Sequence, residues 1–213
     1  MFFLEKISGR VLPPRRFAGF LAVASMLLAS GCYLPVRFDA EIEVDRAGRY
    51  SMIFDGYLAH LPLYREITAG EATPEDEQER VARLARDFTR DSAVKAFEYV
   101  KQGIFKLRWE KSGNLARSPM VTFHRRNEAM LTLSYVREKG LVTVRGGEIR
   151  SSVRQQILDA GLNVQGELRL ITDARVADHN AARVRKLGEG REMYIWRIRS
   201  VFDATPKLVL IPG

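Results

Sequence analysis

VRFDAEIEVDRAGRYSMIFDGYLA, residues 36–59, decides the fold class. Val36, Phe38, Ala40, Ile42 and Val44 alternate with Arg37, Asp39, Glu41 and Glu43. A period of two is what a strand with one wet face requires, because successive side chains point to opposite sides of a sheet. RAGR turns the chain, and YSMIFDGYLA returns it as a second strand, so the segment opens with an antiparallel hairpin. Asp39, Glu41 and Glu43 share its exposed face and line a strand; they are not the paired acid and base of a hydrolytic site.

Downstream, TAGEATPE is a loop, and TPEDEQERVARLARDFTR reads as a helix. Thr73 can cap it, Pro74 suits its first position, and Glu75, Asp76, Glu77 and Glu79 favour the positive end of its dipole. Val81, Leu84, Ala85 and Phe88 fall on one face and Arg83, Arg86 and Arg90 on the other, a basic face that is either solvated or turned to lipid phosphates. SAVKAFEYVKQG is expected to form a second helix ended by Gly103. Four strands then follow, IFKLRWE, MVTFHRR, AMLTLSYV and LVTVR, broken by KSGN, NE and REKG at hairpin spacing, which predicts an antiparallel meander. SSVRQQILDAG is a short helix closed by Gly161, and VQGELRLIT, REMYIWRIRSVF and KLVLI add three strands. Elements grouped in this way predict one α+β domain: an antiparallel sheet or meander of about eight strands with two or three helices packed on one face.

Upstream, MFFLEKISGRVLPPRR carries Lys6, Arg10, Arg15 and Arg16 against Glu5 alone, and FAGFLAVASMLL carries no charge. A basic region, an apolar run too short to span a bilayer and a small-residue site together read as a secretory signal peptide over residues 1–31. LASGC at 28–32 resembles the lipobox of bacterial lipoproteins, with Ala29 where Leu is usual. The resemblance implies that the Cys32 thiol takes a diacylglycerol, that cleavage follows Gly31, and that the new amino terminus is acylated too. Two or three acyl chains anchor a domain durably where a single chain would not. Tyr33 stands where enterobacterial lipoproteins retained in the inner membrane carry Asp, so in a diderm host the expected location is the outer membrane, facing the periplasm.

The part after the signal, residues 32–213, suits a single domain. Loss of four basic residues and one acid with the signal lowers the net charge from +8 to about +5. Export argues against nucleic acid as a partner, so an anionic envelope surface is the reading of that excess, beside a charge that serves solubility alone. Cys32 is the only cysteine, which leaves no thiol for catalysis, a disulfide or a metal. His60, His124 and His179 lack the spacing of a zinc pair. There is no GxSxG, SxxK or phosphate-binding glycine loop, and Gly146–Gly147 reads as a turn. No enzyme, metal or cofactor is expected.

ELRLITDARVADHNAARVRK leaves a strand and passes Asp173, Asp178, His179 and Asn180 before YIWRI resumes with Trp196. With the first hairpin and the cysteine before it, this pattern resembles the LppM-like lipoproteins. The resemblance implies an envelope lipoprotein whose sheet and helices enclose a lipid-like ligand, with Trp196 and Asn180 as candidate pocket residues, beside their plainer reading as a core tryptophan and a turn asparagine. Many such proteins end in a transmembrane helix, whereas this sequence ends KLVLIPG, so anchoring through the amino terminus alone is implied. Two functions stay open. A lipid carrier needs a cavity lined by strand residues such as Phe105, Leu107, Leu133, Ile195 and Ile198. A module that docks on an envelope protein partner needs a filled core and an exposed patch.

Overall fold

The computed structural model describes residues 33–123 and 130–213. The signal segment, Gly31, Cys32 and His124 lie outside them. The described residues form twelve strands and three α-helices in the order β1 (Tyr33–Val44), β2 (Arg49–His60), α1 (Leu61–Thr68), α2 (Pro74–Thr89), β3 (Val94–Lys101), β4 (Ile104–Asn114), β5 (Met120–Thr122), β6 (Leu131–Val136), β7 (Leu141–Gly146), α3 (Ser151–Asp159), β8 (Gln165–Thr172), β9 (Arg175–His179), β10 (Arg183–Gly188), β11 (Arg191–Ile198) and β12 (Lys207–Ile211). The fold is α+β. Seven strands make one sheet, ordered β10-β11-β8-β1-β2-β4-β3, and five make another, ordered β5-β6-β7-β12-β9.

The opening hairpin forms as its alternation requires. Asp45 closes it: its Oδ1 accepts from the Ala47 and Arg49 amides at 3.0 and 2.9 Å, and Gly48 takes the left-handed φ of +73°. Ala40, Ile42 and Val44 then face the same way as Phe54, Met52 and Tyr50 opposite them. Those residues, with Trp109 of β4, Leu168 and Leu170 of β8 and Trp196 of β11, meet Leu133, Val142, Val144, Leu208 and Leu210 of the smaller sheet in one buried cluster. The two sheets therefore bury their apolar faces against each other, and each fully covered Leu contributes about 1.5–3 kcal/mol relative to exposure.

At the start of β1 the pattern changes hand. The pairing with β2 slips between Pro35 and Arg37, and one extra residue in a strand turns the alternation over. Leu34 now faces the side occupied further along by Asp39, Glu41 and Glu43, opposite Ala59, which itself pairs with Ile104. These apolar residues gather a second cluster with Ile157 of α3, Leu162, Val164 and Val201. On the other face of this end, Phe88 of α2 stacks on Phe97 at 4.1 Å and Phe97 on Phe105 at 4.7 Å. Both faces of the sheet are thus apolar and covered here, by α3 on one side and α2 on the other.

Phe38 sits where the two clusters meet, flanked by Gly56 on β2 and Gly166 on β8. A Cβ at Gly56 would lie 2.5 Å from the Arg37 carbonyl oxygen, and one at Gly166 would press on the Phe38 carbonyl. Only glycine leaves room for the backbones to approach so closely.

Helix α2 follows its sequence signals. Thr73 and Asp76 form a reciprocal capping box, Pro74 takes the first position, and Arg83, Arg86 and Arg90 are exposed while Phe88 is buried. Helix α3 ends before Gly161, whose φ is +77°. SAVKAFEYVKQG is a correction: its residues 94–101 form strand β3, paired with β4. Register shifts between Val94 and Ala96 and between Tyr99 and Lys101 put Val94, Phe97 and Tyr99 on one face, a spacing that imitates a helix. A second departure concerns the region after β8. DARVADHNAARVRK holds two strands: β9, at the edge of the small sheet, and β10, at the edge of the large one. The exposed Arg183, Arg185 and Lys186 of β10 are the kind of side chains that keep a free edge from pairing with other chains. Strands β1 and β8 run parallel, which no meander contains.

Candidate functional site

Leu107, Trp196, Ile198 and Asn180 do not share one place. Leu107 and Trp196 both lie in the cluster between the sheets. Phe105, Leu107 and Leu133 have no accessible surface at all, and Trp196 retains 4%. A void able to admit water would leave accessible area on its walls, so the space beside the first three is filled by protein, as in ordinary interiors. Ile195 pairs with Arg169 and so points away from this cluster, because its neighbour Trp196 points in. Ile198, three residues further along, joins the second cluster and is partly buried.

Trp196 and Asn180 do meet. The Trp196 indole Nε1–H donates to Asn180 Oδ1 at 2.8 Å, and the same oxygen accepts from the Lys207 amide at 2.7 Å. Asn180 Nδ2 donates to the Thr205 carbonyl at 2.8 Å. Asn180 lies between β9 and β10, at the point where the chain leaves the small sheet for the large one. Its side chain ties that crossing to the strand that begins at Lys207 and satisfies an indole that is otherwise buried. The other core tryptophan differs: Trp109 Nε1 is buried and has no acceptor among the described residues.

The end of the sheet where β1 starts brings together groups that are distant in sequence. His60 Nδ1 accepts from the Leu63 amide at 3.2 Å and caps α1, and its ring meets Tyr33 edge-on at 4.9 Å. Burial, reinforced by the Arg80 charge and opposed by Glu66, lowers the His60 pKa to about 4, so the ring is neutral at neutral pH. Gly103 packs against the backbone of Leu63 and Tyr64, and the Tyr64 hydroxyl donates to the Ala160 carbonyl at the end of α3 at 2.9 Å. Helix α1, to which the sequence reading assigned no element, therefore lies between the β3–β4 turn and α3.

Beyond β11 the chain makes a pinned turn. Asp203 Oδ2 accepts from the Arg199 and Ser200 amides at 2.7 and 3.2 Å. Asn163 accepts from the Val201 amide at 3.0 Å and donates to the Arg199 carbonyl at 3.0 Å. Val201 plugs the second cluster, while its neighbour Phe202 stands 47% exposed.

The uncovered face of the large sheet is a ladder of charges. Arg169 reaches Asp39, Glu41 and Glu167, and these carboxylates, Asp39 foremost, raise its pKa. Arg197 pairs with Glu167, Arg191 with Glu43, and Arg108 with Asp55 and Glu110. The spaced acids of β1 are thus paired with arginines. Among the described residues no group of three His, Cys, Asp or Glu side chains is placed to hold a metal ion, and no helix is long and apolar enough to cross a membrane.

No protein-family model matches this chain, and no curated protein matches it significantly. Among solved structures it is similar to the folded domain of LppM from Mycobacterium tuberculosis, determined by NMR, at 14% identity and a TM-score of 0.42 over 88% of this chain and 94% of that one. It is also similar to an M1 zinc metallopeptidase from Deinococcus radiodurans, at 11% identity and a TM-score of 0.35 over 85% of this chain and 43% of that one. Neither likeness is strong enough to assign chemistry.

Proposed function

We propose that this chain is a lipid-anchored protein of the cell envelope whose folded domain serves as a docking module, with no ligand enclosed between its sheets. The observation that carries the choice is the lack of accessible surface at Phe105, Leu107 and Leu133, where a carrier would keep unfilled space. The LASGC motif supports the anchor, and the start of β1 at Tyr33 supports a domain held close to its membrane.

Leu107→Trp in a chain of residues 33–213 tests the choice. In a filled interior, overpacking costs about 1–3 kcal/mol, which for a domain of this size lowers the melting temperature by about 2–12 °C. Mass spectrometry of an organic extract of the same wild-type sample should find no stoichiometric lipid. A wild type that co-purifies with lipid, and a variant that loses the lipid while melting as before, would establish the carrier instead. Ile198→Trp probes the partly buried second cluster in the same way.

A further inference from the structure

We infer that the end of the domain at which β1 begins is a membrane-contacting face, with Phe202 entering the interfacial layer of an anionic bilayer and Arg199, Lys101 and Arg65 meeting its phosphates. The inference rests on the lipid anchor of the proposed function. The register shows which groups share that end. Tyr33 pairs with His60, Ala59 with Ile104, and Ile104 with Lys101 on one side. On the other side Arg37 pairs with Gln165, and Gly166 with Ile198. The chain segments beyond these pairs are α1, the β3–β4 turn and the turn at 199–203, and all lie at the β1 start.

Consecutive Cα atoms are about 3.8 Å apart, so a thioether-linked lipid on Cys32 is one residue from the first residue of β1. With no tether, this end and no other can rest on the headgroups. Its side chains suit that surface. Phe202 and Val100 are each 47% exposed, and Phe202 projects from a turn already fixed by Asn163 and Asp203, so placing it in lipid costs little ordering entropy. Arg65, Lys101 and Arg199 are exposed, and none of them makes an ion pair among the described residues. Three acids nearby are engaged: Glu66 pairs with Arg80, Asp159 accepts from Gln155, and Asp203 holds the turn; Glu71 and Glu98 are exposed. Each cation at an anionic surface strengthens attachment about fivefold at ordinary salt.

The test uses the full chain, purified with its natural modification and reconstituted into vesicles of phosphatidylethanolamine and phosphatidylglycerol. Phe202→Cys and Ala47→Cys each carry an environment-sensitive fluorophore. Ala47 lies at the far tip of the β1–β2 hairpin, about 40 Å along the strands. The label at 202 should shift to the blue and be quenched by a lipid-borne quencher, and the label at 47 should behave as in water. Equal spectra at the two positions would overturn the inference. Acyl groups on the amino-terminal peptide, read by mass, test the anchor separately. If that peptide carries none, the face is tested with residues 33–213 carrying Phe202→Cys. Flotation with phosphatidylglycerol vesicles and a blue shift at 202 would sustain it, and neither would overturn it. In that unanchored background, Lys101→Glu with Arg199→Glu should weaken vesicle binding at least 25-fold, about fivefold for each cation lost; unchanged binding would remove the phosphates from the inference.

Discussion

Replacing Asn180 by alanine should cost the domain about 3 kcal/mol, although its side chain is exposed. Three hydrogen bonds are lost, to the Trp196 indole, the Lys207 amide and the Thr205 carbonyl. Bonds of this kind contribute about 0.5–1.5 kcal/mol each, and a buried donor left without an acceptor costs about 1–3 kcal/mol. The Lys207 and Thr205 groups can turn to water, while the indole, in a side chain 4% exposed, cannot, and the sum settles near the middle of the range. At about 2–4 °C per kcal/mol for a domain of this length, the melting temperature should fall by about 6–12 °C. Circular dichroism during heating, with urea unfolding as a check on the slope, reads it directly. Trp196→Phe removes the donor, so the double variant should lose about 1 kcal/mol less than the two single losses added together. Asn180→Asp keeps the acceptor but sets a carboxylate against the Thr205 carbonyl, and should fall in between. An Asn180→Ala protein that melts with wild type, or a strictly additive pair, would refute the reasoning and return Asn180 to the role of a pocket residue.

Gly166→Ala should destabilise by about 1–3 kcal/mol, since its Cβ meets backbone that cannot rotate away; calorimetry of a variant melting as wild type would contradict the close approach at Phe38. Because the His60 pKa is lowered in the fold to about 4 from an ordinary 6.5, the native state binds fewer protons than the unfolded chain between those values. Its contribution is complete above about pH 6.5 and is lost as pH falls through 4, by at most about 3 kcal/mol and less where water reaches the ring. His60→Asn keeps an acceptor for the Leu63 amide, so a pH series of melting temperatures should show a flatter acid limb in the variant. Thr73→Ala removes half of the α2 capping box and should cost about 1 kcal/mol, measured by urea unfolding.

What could be read in the sequence was what is local. The β1–β2 hairpin, α2 with its capping box and α3 with Gly161 each announce themselves within a dozen residues, because period, cap and turn chemistry are written in neighbours. β3 was hidden because two register shifts in eight residues broke its alternation, and its aromatic stack with Phe88 and Phe105 comes from other elements. β9 and β10 were hidden for a different reason: short edge strands made mostly of exposed residues have almost no apolar pattern. Trp196 and Asn180 stood out as a pair of unusual residues, but only the fold shows that one satisfies the other. The grouping of Phe202, Lys101 and Arg65 at one end depends wholly on strand register. The slip at Val36, which makes that end apolar on both faces, leaves no mark in the alternation of the residues after it.

The parallel contact between β1 and β8 sets a timetable for folding. Glu41 and Arg169, neighbours in the finished sheet, are 128 residues apart in the chain. Two hairpins, β1–β2 and β3–β4, can close soon after they are made and join through β2 and β4, in the order β1, β2, β4 and then β3 along the sheet. Throughout that interval the outer side of β1 has unpaired amides and carbonyls beside Ala40, Ile42 and Val44. Closing so long a loop is slow, and an unsatisfied apolar strand is a template for neighbouring molecules. Chains cut short before Gln165 should therefore clump through β1, and anything that keeps nascent copies apart until β8 arrives would raise the yield of folded protein.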